Sequence, residues 1–182
     1  MKELSITGTY TDLYQLTMGQ VYFLKGTSTR ASVFDYFFRK IPFAGGYVVF
    51  AGLGELLPIL QDLQFSPEDL GYLRSIGLHP DFVNHLKGFR FTGSVYSARE
   101  GEIVFPGEPI VRVEGNMLEA QIVETILLNL LNFQSLVATK AARIRYVAGD
   151  KILSDFGLRR AQALGGYHAS RAAAIGGFQS TS

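Results

Sequence analysis

Apolar positions repeat with helical spacing in some stretches of this chain and with period two in others, and the alternation sets out its elements. Leu13, Leu16, Thr17, Gln20 and Val21 follow Thr11-Asp12, which predicts a capped helix with Tyr10, Tyr14 and Tyr22 adding rings. Tyr14 sits on its first turn near Asp12, where amphipathic packing is the commoner use of such a ring than ligand contact. Ala31 to Phe38 alternates, with Phe34, Tyr36 and Phe38 on one face and Val33, Asp35 and Phe37 on the other, so it reads as a strand. Gly45-Gly46 supplies a turn, Tyr47 to Phe50 a second apolar run, and Leu53 to Leu63 a helical repeat despite Pro58. Ser66-Pro67-Glu68-Asp69 opens a helix whose inner stripe is Leu70, Leu73 and Ile76, and Gly77 stops it. His79-Pro80-Asp81 opens a shorter one through Phe82, Val83 and Leu86.

From Phe89 the period becomes two. Val95 to Ala98, Glu102 to Phe105 and Pro109 to Glu114 read as strands separated by Glu100-Gly101 and Pro106-Gly107. This succession resembles the hammerhead sheet of biotinyl and lipoyl carrier domains, but with no lysine between Lys87 and Lys140 the likeness stops at local architecture. Leu118 to about Val147 is a long helix, apolar nearly all round at Ile122 to Leu131, so Asn129, Asn132 and Gln134 need hydrogen-bond partners inside the fold or at an interface. Glu119 and Glu124 read as a solvated or salt-bridged face rather than a catalytic pair, and Lys140, Arg143 and Arg145 as a complement to the helix C-terminus. Lys151-Ile152-Leu153 then reads as a buried strand, and Ala169 to Ile175 as a small-residue helix ended by Gly176-Gly177.

At 182 residues and 47% hydrophobic composition the chain can build an ample core. A net charge of +1 offers no bulk field for nucleic acid or an acidic membrane, so any anion site is local. The absence of cysteine excludes disulfides, zinc-thiolate sites and a thiol nucleophile. Met1-Lys2-Glu3 lacks an apolar secretory core and the longest apolar stretch, Ile126 to Leu131, is too short for a bilayer, so the expectation is a soluble cytoplasmic protein.

The chemistry gathers after Lys151-Ile152-Leu153, in Ser154-Asp155-Phe156-Gly157-Leu158-Arg159-Arg160-Ala161-Gln162, because ligands of parallel α/β folds bind where strands end. Arg159 and Arg160 are planar forks for phosphate or carboxylate oxygens, or else partners of Asp155 or Glu124. Phe156 can stack on an aromatic ring or fill the core. Gly176 to Ser182 offers small residues and hydroxyls for backbone approach to a phosphate. General phosphate-loop signatures are absent. His79, His85 and His168 are dispersed, without metal-ligand spacing, and read as surface or capping residues.

In order along the chain, Thr11-Asp12-Leu13-Tyr14-Gln15-Leu16-Thr17-Met18, Phe37-Phe38-Arg39-Lys40-Ile41-Pro42 with Gly45-Gly46-Tyr47, Glu119-Ala120-Gln121 with Glu124-Thr125, Asn132-Phe133-Gln134, Ala138 to Arg143, Asp155 to Gln162, and Ala169 to Ala172 with Gly176 to Ser182 resemble the nicotinate phosphoribosyltransferase family of type II phosphoribosyltransferases. The resemblance implies an α/β fold: residues 1–135 as a sandwich-like domain with a long connecting helix, and 136–182 as the first strands and helices of an irregular α/β barrel. It implies transfer of phosphoribosyl from 5-phosphoribosyl 1-diphosphate to nicotinate, with Mg2+ accompanying the diphosphate and ATP as co-substrate through a phosphohistidine beyond Ser182. His168 is not given that role. It further implies that Tyr14 reaches into a partner's site to stack with Phe156 around the pyridine, that Leu158 lines the pocket, that Arg159 binds phosphate or diphosphate, and that Ser180 and Thr181 lead into a phosphate loop. A homodimer with shared sites is implied, with no nucleic-acid or membrane partner.

Members of that family are more than twice this length. The expectation is therefore a fragment, one polypeptide of a split pair, or part of a longer chain, inactive by itself. A non-catalytic binding module and a nicotinamide- or quinolinate-using relative are the competing expectations, and Leu158-Arg159-Arg160-Ala161-Gln162 favours nicotinate by resemblance.

Overall fold

The computed structural model describes residues 6–181; Met1-Lys2-Glu3 and Ser182, both used in the reading above, lie outside the described residues. The chain forms two compact units that interleave along the sequence: the described part of Met1–Asp35 with Leu57–Tyr96 and Arg112–Leu127, and Tyr36–Leu56 with Ser97–Val111 and the described part of Leu128–Ser182.

In the first unit, α1 (Leu13–Leu24) precedes β1 (Ala31–Tyr36), whose alternation turns Phe34 and Tyr36 inward as the pattern predicts. Asp12 stands at the N-cap position, but its side chain does not cap α1. Its carboxylate instead accepts a hydrogen bond from Thr125 Oγ1 at 3.0 Å, which ties the start of the helix to a distant one. α2 (Leu53–Asp62) begins in the second unit and ends in the first. α3 (Pro67–Ser75) begins with the predicted capping box, in which the Asp69 amide donates to Ser66 Oγ at 3.1 Å and the Ser66 amide donates to Asp69 Oδ2 at 2.7 Å. α4 (Pro80–Leu86) is capped by His79 Nδ1, which accepts from the Asp81 amide. Leu60, Leu63, Leu73, Phe82, Leu86 and Ile122 fill this unit's core.

β3 (Ser94–Ser97) and β5 (Val111–Asn116) join β1 in a sheet of order β1-β5-β3. Arg112 grips Asp35 across it with two hydrogen bonds of 2.8 and 3.0 Å, which hold the Asp35 carboxyl below its ordinary range. In the second unit β2 (Val48–Val49) pairs antiparallel with β4 (Ile103–Val104), with Val48 opposite Val104.

α5 (Met117–Ala148) gives its first part to one unit and the rest to the other. Its length and composition would suffice to cross a bilayer, which the short apolar stretch Ile126 to Leu131 understates. However, 56% of its apolar window is buried within the protein, as in a core helix. Tyr36 OH donates to Asn132 Oδ1 at 2.9 Å, supplying one of the partners its polar residues require. Thr139 and Ser135 do the same for the amides of Val49 and Ala51.

After α5 come β6 (Ser154–Asp155), α6 (Gly165–Ile175) and β7 (Ser180–Thr181), and β6 and β7 are parallel. A strand, a helix and a parallel strand form a βαβ unit. The expected buried strand over Lys151-Ile152-Leu153 is corrected: Ile152 is 81% exposed and the ladder starts two residues later. Arg145 engages the carbonyls of Gly149 and Lys151 at 2.7 Å each, so the chain is still leaving the helix there. It meets its neighbour only at Leu153, whose carbonyl accepts from the Gln179 amide.

Candidate functional site

β6 and β7 lie in register with Ser154 opposite Ser180 and Asp155 opposite Thr181, and the Ser154 and Ser180 hydroxyls are 2.5 Å apart. Phe156 leaves the end of β6, Gly157 follows, and a 3₁₀ turn spans Leu158–Arg160. The fold thus places Phe156, Leu158 and Arg159 just past the end of β6, and Ser180 and Thr181 on β7, the strand paired with it. All five are exposed, Phe156 by 55%, so it does not fill the core.

Asp155 does not pair with either arginine. Its Oδ1 accepts from the Gly157 amide at 2.8 Å and its Oδ2 from Ser170 Oγ at 2.6 Å. Among the described residues no hydrogen bond or ion pair engages the Arg159 guanidinium, which leaves a free bidentate fork at a strand end. Tyr14 belongs to the other compact unit. It is 51% exposed, so it too is outside the core, and its hydroxyl accepts from Gln15 Nε2 at 2.8 Å. Desolvation, with the Glu124 and Asp12 carboxylates behind it, holds that hydroxyl above its ordinary range, so Tyr14 stays neutral through physiological pH.

Among the described residues no group of three or more His, Asp or Glu is placed to hold a metal ion. Both oxygens of Asp155, the carboxylate next to the arginine turn, are already engaged. These residues do not form a magnesium cage of their own.

Two polar networks went unread in the sequence. Glu119 is buried rather than solvated: it accepts from the Thr92 amide at 2.8 Å, from Thr92 Oγ1 at 3.0 Å and from Asn116 Nδ2 at 2.6 Å, which fits a structural role. His168 is neither a surface nor a capping residue, since its Nδ1 lies 2.6 Å from Glu55 Oε2. Gln134 Nε2 also donates to Glu55 Oε2. Arg171 reaches Gln134 Oε1 at 3.1 Å and clasps Glu100 at 2.8 and 2.6 Å. Burial pushes the Glu100 carboxyl up, but hydrogen bonds from Arg171 and from the Gly52 and Gly54 amides outweigh it and hold the group below its ordinary range. The hydrogen bond to Glu100 correspondingly raises Arg171. The readable signal was a histidine and an arginine three residues apart on a helix rich in alanine and glycine.

Residues 9–132 match the family model of the nicotinate phosphoribosyltransferase (NAPRTase) N-terminal domain. The chain belongs to the nicotinate phosphoribosyltransferase family. It is 49% identical over 175 residues to nicotinate phosphoribosyltransferase of Bacillus subtilis, covering 95% of this chain and 36% of that protein. It is 43% identical over 182 residues to nicotinate phosphoribosyltransferase 1 of Arabidopsis thaliana, covering 97% of this chain and 33% of that one. The fold is similar to the crystal structure of human nicotinic acid phosphoribosyltransferase, with a TM-score of 0.87 and 40% identity over 94% of this chain and 35% of that chain. A nicotinate-nucleotide pyrophosphorylase from Pyrococcus furiosus is similar at a TM-score of 0.76 and 26% identity, covering all of this chain and 41% of that one. The chain spans about a third of the length of the curated relatives it matches.

Proposed function

We propose that the protein carrying this chain joins nicotinate to 5-phosphoribosyl 1-diphosphate in the salvage of pyridine nucleotides for NAD. The pyridine nitrogen forms a bond to C1 of the ribose as the bond from C1 to the diphosphate oxygen breaks, giving nicotinate mononucleotide and diphosphate. The family membership supports the reaction class. The observation that carries the reading to these residues is an exposed Arg159, without a partner among the described residues, following an exposed Phe156 past the end of a parallel strand.

Displacement at C1 passes through a cation-like sugar, so the protein's task is positioning and charge stabilisation rather than nucleophilic attack. Arg159 would hold phosphate or diphosphate oxygens with its fork. Phe156 would stack on the flat ring, with Leu158 beside it and Tyr14 supplied by the second subunit of a homodimer. Ser180 and Thr181 lead into the phosphate-binding loop. Magnesium enters with the diphosphate as part of that substrate and offsets its charge, and ATP is a co-substrate whose hydrolysis drives the transfer. The cytoplasm is the compartment that fits such a reaction.

Competition among nicotinate, nicotinamide and quinolinate in the intact protein, read by chromatography of the pyridine acids and amide remaining, tests the assignment, because quinolinate loses carbon dioxide on transfer and gives the same mononucleotide as nicotinate. Preferential consumption of nicotinate is expected; equal use of the three, or use of another one, contradicts it.

A further inference from the structure

We propose that Asp155 and Ser170 form a positioning brace for the arginine turn, so that α6 sets where Arg159 and Phe156 stand for the reaction proposed above, on which reading the kinetic part of the inference rests.

Asp155 is the last residue of β6, two positions before the glycine of the turn. A carboxylate there would ordinarily face the adjacent arginines, yet both of its oxygens are directed elsewhere. Oδ1 takes the Gly157 amide at 2.8 Å, which folds the chain back immediately after Phe156. Oδ2 takes the Ser170 hydroxyl at 2.6 Å, which ties that bend to the middle of α6. A charged acceptor shared by two donors makes short, strong hydrogen bonds, so the bend is held in one geometry.

Two glycines make the approach possible. A Cβ at Gly157 would stand 2.8 Å from Asp155 Oδ1, and one at Gly166 would meet the Leu158 carbonyl at 2.7 Å. A side chain at either position would push the turn away from its support. The helix that carries Ser170 is itself anchored on either side of that residue, since His168, two positions before it, is held by Glu55 and Arg171, one after it, by Glu100 and Gln134. The arrangement runs from a part-buried polar network, through one turn of α6, to Ser170, Asp155 and the Gly157 amide, and ends at the exposed Arg159.

The consequence is that Asp155 and Ser170 act through the turn and need not touch substrate. Misplacing a positioning group by about an ångström costs roughly a hundredfold in rate. Asp155→Ala, which removes both contacts, is therefore expected to lower kcat/KM for 5-phosphoribosyl 1-diphosphate by roughly a hundredfold, and Ser170→Ala, which removes one, by roughly tenfold. Asp155→Asn keeps an acceptor for the Gly157 amide and can donate to Ser170, so it should recover most of the loss.

The test is initial-rate kinetics of these three variants of the intact protein, together with their thermal midpoints and the rate of trypsin cleavage after Arg159 and Arg160. The inference predicts faster cleavage at that turn in Asp155→Ala and Ser170→Ala, with rescue in Asp155→Asn and midpoints close to the parent. Should Asp155→Ala fail to fold, Ser170→Ala and Asp155→Asn carry the comparison. Parent-like cleavage and kinetics in Ser170→Ala overturn the brace. An intact parent protein that makes no nicotinate mononucleotide overturns the proposed reaction instead, and trypsin cleavage still decides whether the brace holds the turn.

Discussion

Tyr14 stands half in solvent on the first turn of α1, and that exposure gives its replacement a distinct signature. Removing a stacking ring costs about 0.5–1.5 kcal/mol, so Tyr14→Ala is expected to raise KM for nicotinate about two- to tenfold. A surface substitution should move the melting midpoint by only about 1–2 °C. A fall of about 10 °C with unchanged KM would return Tyr14 to the packing role that general grounds favour. Arg159 has the opposite profile, a free cation whose loss touches no internal partner among the described residues. Arg159→Ala is expected to lower kcat/KM for 5-phosphoribosyl 1-diphosphate by about 2–4 kcal/mol, and Arg159→Lys should restore only part, because an ammonium lacks the fork. Steady-state kinetics with unchanged constants would remove Arg159 from the site. At this scale residue type was legible in the sequence, but its commitments were not. Nothing in the order of residues says that Asp155 turns to Ser170 rather than to Arg159, because that choice depends on where α6 packs.

Elements bounded by local chemistry were read closely. The capping box at Ser66 and Asp69 and the proline at the first position of α3 act within one turn, so the sequence contains all of the information that starts that helix. The glycine pair after Ile175 ends α6 in the same way. β6 begins later than the short apolar run Lys151-Ile152-Leu153 predicts, because a two-residue parallel strand is defined by its neighbour β7 and not by its own pattern. Glu119 departs from its pattern for a related reason: a carboxylate on a helix is usually solvated, and here donors from Thr92, brought from another segment, together with the Asn116 side-chain amide make burial tolerable.

The anchoring of α6 carries a pH signature of its own. Glu100 lies below its ordinary range in the folded protein because Arg171 and two backbone amides favour its charged form over the opposing effect of burial. The unfolded chain therefore binds more protons in that range, and stability from this group is present above its unfolded value of about 4.5 and is lost as pH falls toward its lower folded value. Glu100→Gln should flatten the acid side of the stability profile, measured by denaturant titration between about pH 5 and pH 3. An unchanged acid slope would show that the Glu100–Arg171 clasp contributes nothing to folding.

At the scale of the molecule, the ordered motifs from Thr11 to Thr181 were enough to place the chain in its family, because a set of short segments in fixed order is far more specific than any one of them. The α/β class was equally legible from the switch between helical and period-two spacing. The interleaving of the two compact units was not, since it arises from α2 and α5 each running through both, and a helical pattern does not reveal which partner each turn packs on. Relatives about three times as long match this chain over nearly all of its length, so the proposed chemistry belongs to the whole protein that carries these residues.

That chemistry is tested most directly by incubating the intact protein with nicotinate, 5-phosphoribosyl 1-diphosphate, magnesium and ATP, and following nicotinate mononucleotide and diphosphate together. Equal amounts of the two products, formed in proportion to enzyme and lost when 5-phosphoribosyl 1-diphosphate is omitted, are the predicted result; no nicotinate mononucleotide above the enzyme-free control would contradict the account.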